Sequence, residues 1–239
     1  NPLFSTVCPA QKHRRQTFLL YYRRSNGPSV RTRRTTDQTC RNRSSGAFVP
    51  AVCDIVDIAG LVKGASKGEG LGNQFLGNIR ECDAIIHVLR CFDNGNIVHV
   101  DGSVDPVRDK EIIDTELQLK DLDTVENRIK RVEKIAKVGG DKMAKVEYEL
   151  LLRYKDALEQ GKSARTVTFE TKDEQKIAHE LFLLTSKPVM YVCNVDEASA
   201  VNGNKYVDMV REAVKDENAE ILVVAAKTEA DIAELETYE

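Results

Sequence analysis

Two short strings hold residues able to grip a nucleotide. The first is Asp57-Ile58-Ala59-Gly60, which closes the apolar run Cys53-Asp54-Ile55-Val56-Asp57-Ile58. A carboxylate at a strand end can meet the water shell of Mg²⁺, and a glycine beside it presents a backbone N–H to a terminal phosphate. DxxG alone is a common string. Here it continues as Leu61-Val62-Lys63-Gly64-Ala65-Ser66-Lys67-Gly68-Glu69-Gly70-Leu71-Gly72-Asn73. So many glycines make a loop that can adopt positive φ and rearrange around a phosphate.

The second string is Asn194-Val195-Asp196-Glu197, after the apolar run Pro188-Val189-Met190-Tyr191-Val192-Cys193. Nucleotide-binding G domains read the base at such a place with Asn-Lys-x-Asp, whose Asp accepts from the guanine ring N–H and 2-amino group. Val195 replaces the Lys and Glu197 replaces the Asp. The guanine reader is therefore impaired, while Asn194 still bonds the purine edge, so adenine is expected to be tolerated or preferred. An ordinary strand-end turn rich in Asn and Asp has the same composition. Val224-Ala225-Ala226-Lys227 follows the next apolar run, and the backbone N–H groups of Ala225 and Ala226 are expected to close over the base.

Positioning these groups requires strands that end together. Four apolar runs, at 53–58, 84–89, 188–193 and 221–225, alternate with helical stretches at 71–82, 174–184 and 205–215. Short apolar strands separated by amphipathic helices predict an α/β fold with a parallel sheet covered on both faces, and ligands collect at the carboxyl ends of such strands. An insertion interrupts the alternation. Leu122, Val125, Ile129, Val132 and Ala136 follow a 3-4-3-4 spacing, Gly139-Gly140 ends the helix, and Asp141 caps a second one carrying Met143, Val146, Leu150, Tyr154 and Ala157. The pair predicts an antiparallel helical hairpin over 111–165, with a partial nucleotide-binding domain formed by 48–110 and 166–239. Its charged faces are solvated or bind a partner.

Composition divides the chain. The 239 residues carry 35 Lys+Arg and 38 Asp+Glu, net −3. Residues 1–50 hold ten Lys/Arg and Asp37 as their one acid, or +9, which leaves −12 for the rest. This arm has no apolar period of 2 or 3.6, and residues 1–47 are assigned no fold. Clustered guanidinium groups such as Arg31, Arg33 and Arg34 would suit a nucleic-acid tail. Translation in a wrong frame is the preferred account. Codons for 30–43 can be chosen so that the neighbouring frame reads Tyr-Val-Pro-Asp-Glu-Arg-Leu-Thr-Lys-Leu-Ala-Glu-Ile-Val, a turn followed by an amphipathic helix. The six cysteines form no CxxC pair and have no His at metal-ligand spacing, so reduced thiols are expected. No apolar run reaches the ~18 residues of a membrane span, and the start lacks a secretory-signal pattern.

From about residue 49 to 239 the chain resembles the YchF / Obg-like ATPase family of translation-factor-related P-loop NTPases. The resemblance rests on the run from Asp57 to Asn73, on Arg90-Cys91-Phe92, on the helical insertion and on Asn194 to Glu197. It implies a P-loop NTPase (G-domain) sheet with an inserted antiparallel coiled-coil hairpin. It also implies a cytoplasmic protein that binds and hydrolyses ATP, with GTP weaker, uses Mg²⁺ and associates with the ribosome through its large subunit, with no DNA or membrane partner. Asp57, Gly60, Asn194, Val195, Glu197, Ala225 and Ala226 would contact nucleotide, and Asp57 would hold Mg²⁺ through water. Leu61 stands where many GTPases place a water-orienting Gln, and leucine cannot hydrogen-bond water. The resemblance points instead to His99, in Asn94-Gly95-Asn96-Ile97-Val98-His99, as the catalytic group. His87 reads as a strand residue.

Two departures stand out. No Gly-x-x-x-x-Gly-Lys-Ser/Thr string occurs in residues 1–239, and the small carboxyl-terminal TGS domain of the family is not within them. An incomplete copy is expected, with ATP binding at least tenfold weaker than in an intact relative, or ~1.4 kcal/mol. The alternative is a non-catalytic fragment whose hairpin binds a protein or the ribosome.

Overall fold

The computed structural model describes residues 18–25, 52–58, 76–77, 79–93 and 103–235. Five strands, β1 (Phe18–Ser25), β2 (Val52–Ile58), β3 (Ala84–Arg90), β4 (Val189–Asn194) and β5 (Glu220–Val224), form one sheet in the order β2-β1-β3-β4-β5. The last three are parallel, with Leu89 opposite Cys193 and Tyr191 opposite Ile221. β1 runs antiparallel to both neighbours, its Leu20 lying between Asp57 and Ile86.

The β3-β4-β5 half of the sheet is parallel, as expected, while β1, from the basic arm to which the sequence assigns no fold, runs antiparallel in the slot between β2 and β3. The stretch Phe18-Leu19-Leu20-Tyr21-Tyr22 is the arm's one continuous apolar and aromatic run. A search for alternation passes over it, because an inner strand needs apolar residues on both faces rather than on one.

Helix α1 (Pro106–Val138) starts ahead of the expected boundary at 111. Asp105 caps it, accepting from the N–H groups of Val107 and Arg108, and Pro106 opens the first turn. Its early part packs on the sheet: Ile113 and Leu117 meet Leu76, Ile79, Ile85 and Leu184. The later part meets α2 (Lys142–Glu159), which Asp141 caps through the N–H groups of Met143 and Ala144. Gly139 ends α1, and Gly140 at φ +66° makes the turn that a side chain would strain.

Val125, Val132 and Ala136 of α1 are buried against Ala144, Leu150, Leu151, Tyr154 and Leu158 of α2, with Leu122, Ile129 and Val146 beside them. Met143 departs from the expected seam. It lies at the second position of α2 beside the turn and is 45% exposed. The pairs Arg128–Glu147 and Lys155–Glu126 cross between the helices.

Three further helices follow. α3 (Lys172–Glu180) is capped by the Thr171 hydroxyl. It stops short of the expected 184, since Phe182 takes a left-handed φ of 49°. α4 (Lys205–Val214) is capped by Asn204, and α5 (Ala226–Glu234) follows β5 directly. α4 covers one face of the sheet, where Val207, Val210 and Val214 pack on Leu89, Tyr191 and Cys193. The opposite face carries Val88 and Val192 with Ile55, Ile86, Met190 and Val224.

Polar groups buried between these layers fix α1 in place. The Asp121 carboxylate, 1% exposed, accepts from Leu184 N–H, Thr185 N–H and the Thr185 hydroxyl at 2.7–2.8 Å. Lys110 pairs with Asp114 at 2.7 Å and Glu217 at 2.6 Å, and Glu217 also accepts from Tyr191 Oη at 2.7 Å. Burial pulls the Lys110 ammonium down, but its two carboxylates outweigh burial and its pKa is raised. Burial pushes the Tyr191 phenol up, with the charge of Asp114 and the bond to Glu217 adding to it.

Candidate functional site

Of the expected site residues, Asp57, Asn194, Val195, Glu197, Ala225 and Ala226 are among the described ones, and they lie at or just beyond the carboxyl ends of their strands. Arg90 lies opposite Asn194 and Asn194 opposite Val224, so β3, β4 and β5 end in a row. β2 runs to Ile58, whose partner is Leu19 of β1. Asp57 is the penultimate residue of that strand and therefore belongs to the same edge, while its side chain lies outside the described residues. Gly60 and His99 also lie outside them.

Asn194 is the best-defined member of the set. Its Oδ1 accepts from Ala226 N–H at 3.1 Å, and its backbone carbonyl accepts from Cys91 N–H at 2.8 Å. A carboxamide oxygen must face that N–H, which leaves the Nδ2 group as what Asn194 offers a ligand. A purine N7 is an acceptor in both adenine and guanine, so a carboxamide donor of this kind does not distinguish the two bases.

The neighbouring residues divide into those that support the loop and those that face solvent. Val195, in the Lys position of the guanine-reading string, is 4% exposed, and its side chain packs into the cluster under the loop with Tyr206 and Val207. Its N–H donates to Val224 O at 2.9 Å, joining the two strand ends a second time. Asp196 accepts from Ser199 N–H at 2.9 Å and so caps a 3₁₀ turn, Glu197–Ser199. Glu197 itself is exposed. Ala225 is buried. Ala226 N–H, expected to meet the base, is engaged by Asn194 and acts by orienting it.

Asn204 escaped the sequence reading. It caps α4 through Oδ1, which accepts from Tyr206 and Val207 N–H at 3.0 and 3.2 Å. Its Nδ2 donates to Cys91 O at 2.7 Å and Ser199 Oγ at 3.3 Å. One side chain thus ties the base-side loop to the end of β3. An Asn directly before an amphipathic helix is a capping signal that would have found the cap. Nothing in the local sequence signals the neighbouring bond of Tyr206 Oη to the Asp93 carboxylate at 2.8 Å. Arg90 is buried, donates from Nε to Phe92 O at 3.0 Å and stacks 4.9 Å from the Phe92 ring centre.

His87 stays out of the site, as expected. It is buried in the middle of β3, 5.6 Å from the Tyr191 ring, and burial lowers its pKa to about 4 against the opposing charge of Asp114. Cys82, Cys91 and Cys193 are buried free thiols. Among the described residues no group of three His, Cys, Asp or Glu is arranged to hold a metal, and no helix is long and apolar enough to cross a membrane.

A family model described as "50S ribosome-binding GTPase" matches residues 26–138. The chain is 54% identical over 193 residues to a Bacillus subtilis protein named "Ribosome-binding ATPase YchF", covering 80% of this chain and 52% of that protein. Identity to the protein of the same name in Escherichia coli O157:H7 is 52% over 191 residues, with the same coverage. Identity to "Obg-like ATPase 1" of Rattus norvegicus is 41%, over 79% of this chain and 48% of the relative. The chain thus spans about half the length of these curated relatives. The solved structure of the Schizosaccharomyces pombe YchF GTPase superposes with a TM-score of 0.69 at 30% identity, over 99% of this chain and 61% of that one. The fold is that of a P-loop NTPase nucleotide-binding domain. Strand-end geometry, sequence identity and superposition agree, and the chain belongs to the YchF / Obg-like ATPase family.

Proposed function

We propose that this chain binds ATP, and GTP more weakly, at the carboxyl edge of its sheet, as part of a cytoplasmic, ribosome-associated nucleotide hydrolase. The observation that carries the reading is the Asn194 Oδ1 to Ala226 N–H bond. It joins the two loops that flank a base and turns a carboxamide donor toward that base. Selectivity for adenine follows from what is missing. With Glu197 in place of Asp and Val195 in the core, no carboxylate is set to accept the two guanine donors.

The donor set suits Mg²⁺. This ion keeps several waters and takes one or two carboxylates together with phosphate oxygens, so a single strand-end Asp57 is sufficient protein ligation, and a ready-made cage is not needed. When bound, Mg²⁺ neutralises charge on the terminal phosphates. Asp57 would hold it through water, Gly60 would bond the terminal phosphate, and His99 would orient or accept a proton from the attacking water, which suits an imidazole near neutral pH. Ala225 would close the base side, and Ala226 would hold the Asn194 carboxamide beside it. Without a Gly-x-x-x-x-Gly-Lys-Ser/Thr string in residues 1–239, the triphosphate is held at least tenfold more weakly than in a relative that has one. The names of the relatives support the ribosome as partner, and the "50S" in the family description supports the choice of its large subunit.

Phosphate release from ATP with excess Mg²⁺ tests the hydrolytic part. The reading expects slow release that falls roughly 10²-fold in His99→Ala. Release unaffected by that substitution, or absent from the parent chain, would remove hydrolysis from the account.

A further inference from the structure

Two stems leave and rejoin the sheet beside the base-side loop. β3 ends at Arg90 and runs on as Cys91-Phe92-Asp93, while Ser103-Val104-Asp105 leads into α1. One apolar cluster holds both: Cys91 is buried with Tyr206 and Val207 of α4, and Val104 packs against them. In sequence the nine residues 94–102 lie between the stems, with His99 among them.

Each stem is also tied by a side chain from the first turn of a helix. Asn204 caps α4, which puts Tyr206 at the second position of that helix with its ring buried. Its Oη donates to the Asp93 carboxylate, 2.8 Å from either oxygen. Asp105 caps α1, and Arg108, three residues on, reaches back over the cap. Its Nη2 donates to Ser103 O at 2.7 Å and its Nη1 to Ser103 Oγ at 3.4 Å, while its Nε is buried without a partner. Arg90 stands between the stems. Burial lowers its pKa, and the charges of Asp93 on one stem and of Asp109 in α1 oppose that loss.

Such bonds add little to stability. Asp93 and Ser103 are exposed, and a hydrogen bond there largely replaces one to water. What the bonds fix is position. A segment pinned at both ends samples fewer placements than one held by its strand and helix alone, and a displacement of about 1 Å at a reacting group can cost on the order of a hundredfold in rate.

We infer that Tyr206 and Arg108 are positioning residues for the hydrolytic step: through Asp93 and Ser103 they fix both stems of the segment that carries His99, and so fix where its imidazole reaches. The inference rests on the hydrolytic reading proposed above and assigns neither residue a contact with nucleotide.

The test uses the full chain. Tyr206→Phe keeps the buried ring and removes Oη, Arg108→Gln removes the clamp on Ser103, and Glu212→Gln, exposed on α4 and paired with Lys215, is the control. Hydrogen exchange by mass spectrometry and phosphate release from ATP with Mg²⁺ are followed in each. Both clamp variants are expected to speed exchange of amides 94–102 at least roughly threefold and to lower kcat about tenfold at unchanged KM, with melting near the parent and the control like the parent. Asp93→Asn keeps an acceptor and should behave as the parent. Asp93→Ala should match Tyr206→Phe, and the two together should be no worse than either. Unchanged exchange in Tyr206→Phe, additive losses in the double variant, or a fall in kcat matched by a rise in KM overturns the assignment. A parent that releases no phosphate while exchange responds as expected removes the hydrolytic reading and upholds the anchoring. A parent that does release it, with kcat indifferent to both clamp variants, sinks the positioning role alone.

Discussion

Asn194 Oδ1 and Ala226 N–H, 3.1 Å apart, join the loop after β4 to the loop after β5 across the carboxyl edge of the sheet. The bond divides one side chain into two jobs: its oxygen holds the protein together, and its nitrogen is left for a ligand.

Substitution separates those jobs. Asn194→Asp keeps an oxygen for Ala226 and loses the donor, so thermal stability should hold while ATP binding weakens about tenfold, or ~1.4 kcal/mol. Asn194→Ala loses both and should also destabilise the fold by about 1 kcal/mol. Calorimetric titration and thermal melts of the two variants distinguish them.

Asn204 should matter to the site without touching nucleotide. Asn204→Ala removes the α4 cap, worth about 1 kcal/mol, and frees the Cys91 carbonyl and Ser199 from their shared donor. Asn204→Asp restores the cap and not the donor. If the Cys91 bond positions the base-side loop, Asn204→Asp melts near the parent temperature and still binds ATP more weakly.

Asp121 is expected to be the most sensitive polar position in the hairpin. Asp121→Ala leaves three donors without their acceptor beneath α1, at a cost of about 3 kcal/mol or more. Urea unfolding measures it, and a loss below about 1 kcal/mol would show that water replaces the carboxylate.

His87 predicts a pH dependence of stability. Its folded pKa, about 4, lies below the ordinary histidine value of 6.5, so between those values the unfolded chain binds the extra proton and the folded chain does not. The stability that a neutral His87 contributes is complete above pH 6.5 and is lost as pH falls toward about 4, up to about 3 kcal/mol. Asp114, Lys110 and Arg165 are the charges acting on it, and burial is the larger effect. His87→Gln should flatten this slope in urea unfolding across the same range. An unchanged slope would assign it to carboxylates.

Much of this architecture was legible from residue type and spacing. The 3-4-3-4 seam found Val125, Val132 and Ala136, and the Gly139-Gly140-Asp141 string found both the end of α1 and the cap of α2, because period and capping are local properties. The strand-end rule put Asn194 and Ala226 on the same edge of the sheet, while the bond between them comes from the fold. What was not legible depends on contacts distant in sequence. β1 was hidden because a run suited to a central slot does not alternate. Phe182 ends α3 through a backbone angle that its residue type does not announce. Asn204 to Cys91 and Asp121 to Thr185 join positions 113 and 64 residues apart.

The most direct test of the central claim is calorimetric titration of the parent chain with ATP and with GTP under saturating Mg²⁺. The account predicts binding of both, ATP the tighter, and about tenfold loss of ATP affinity in Asn194→Asp. Tighter binding of GTP, or ATP binding indifferent to Asn194, would contradict it.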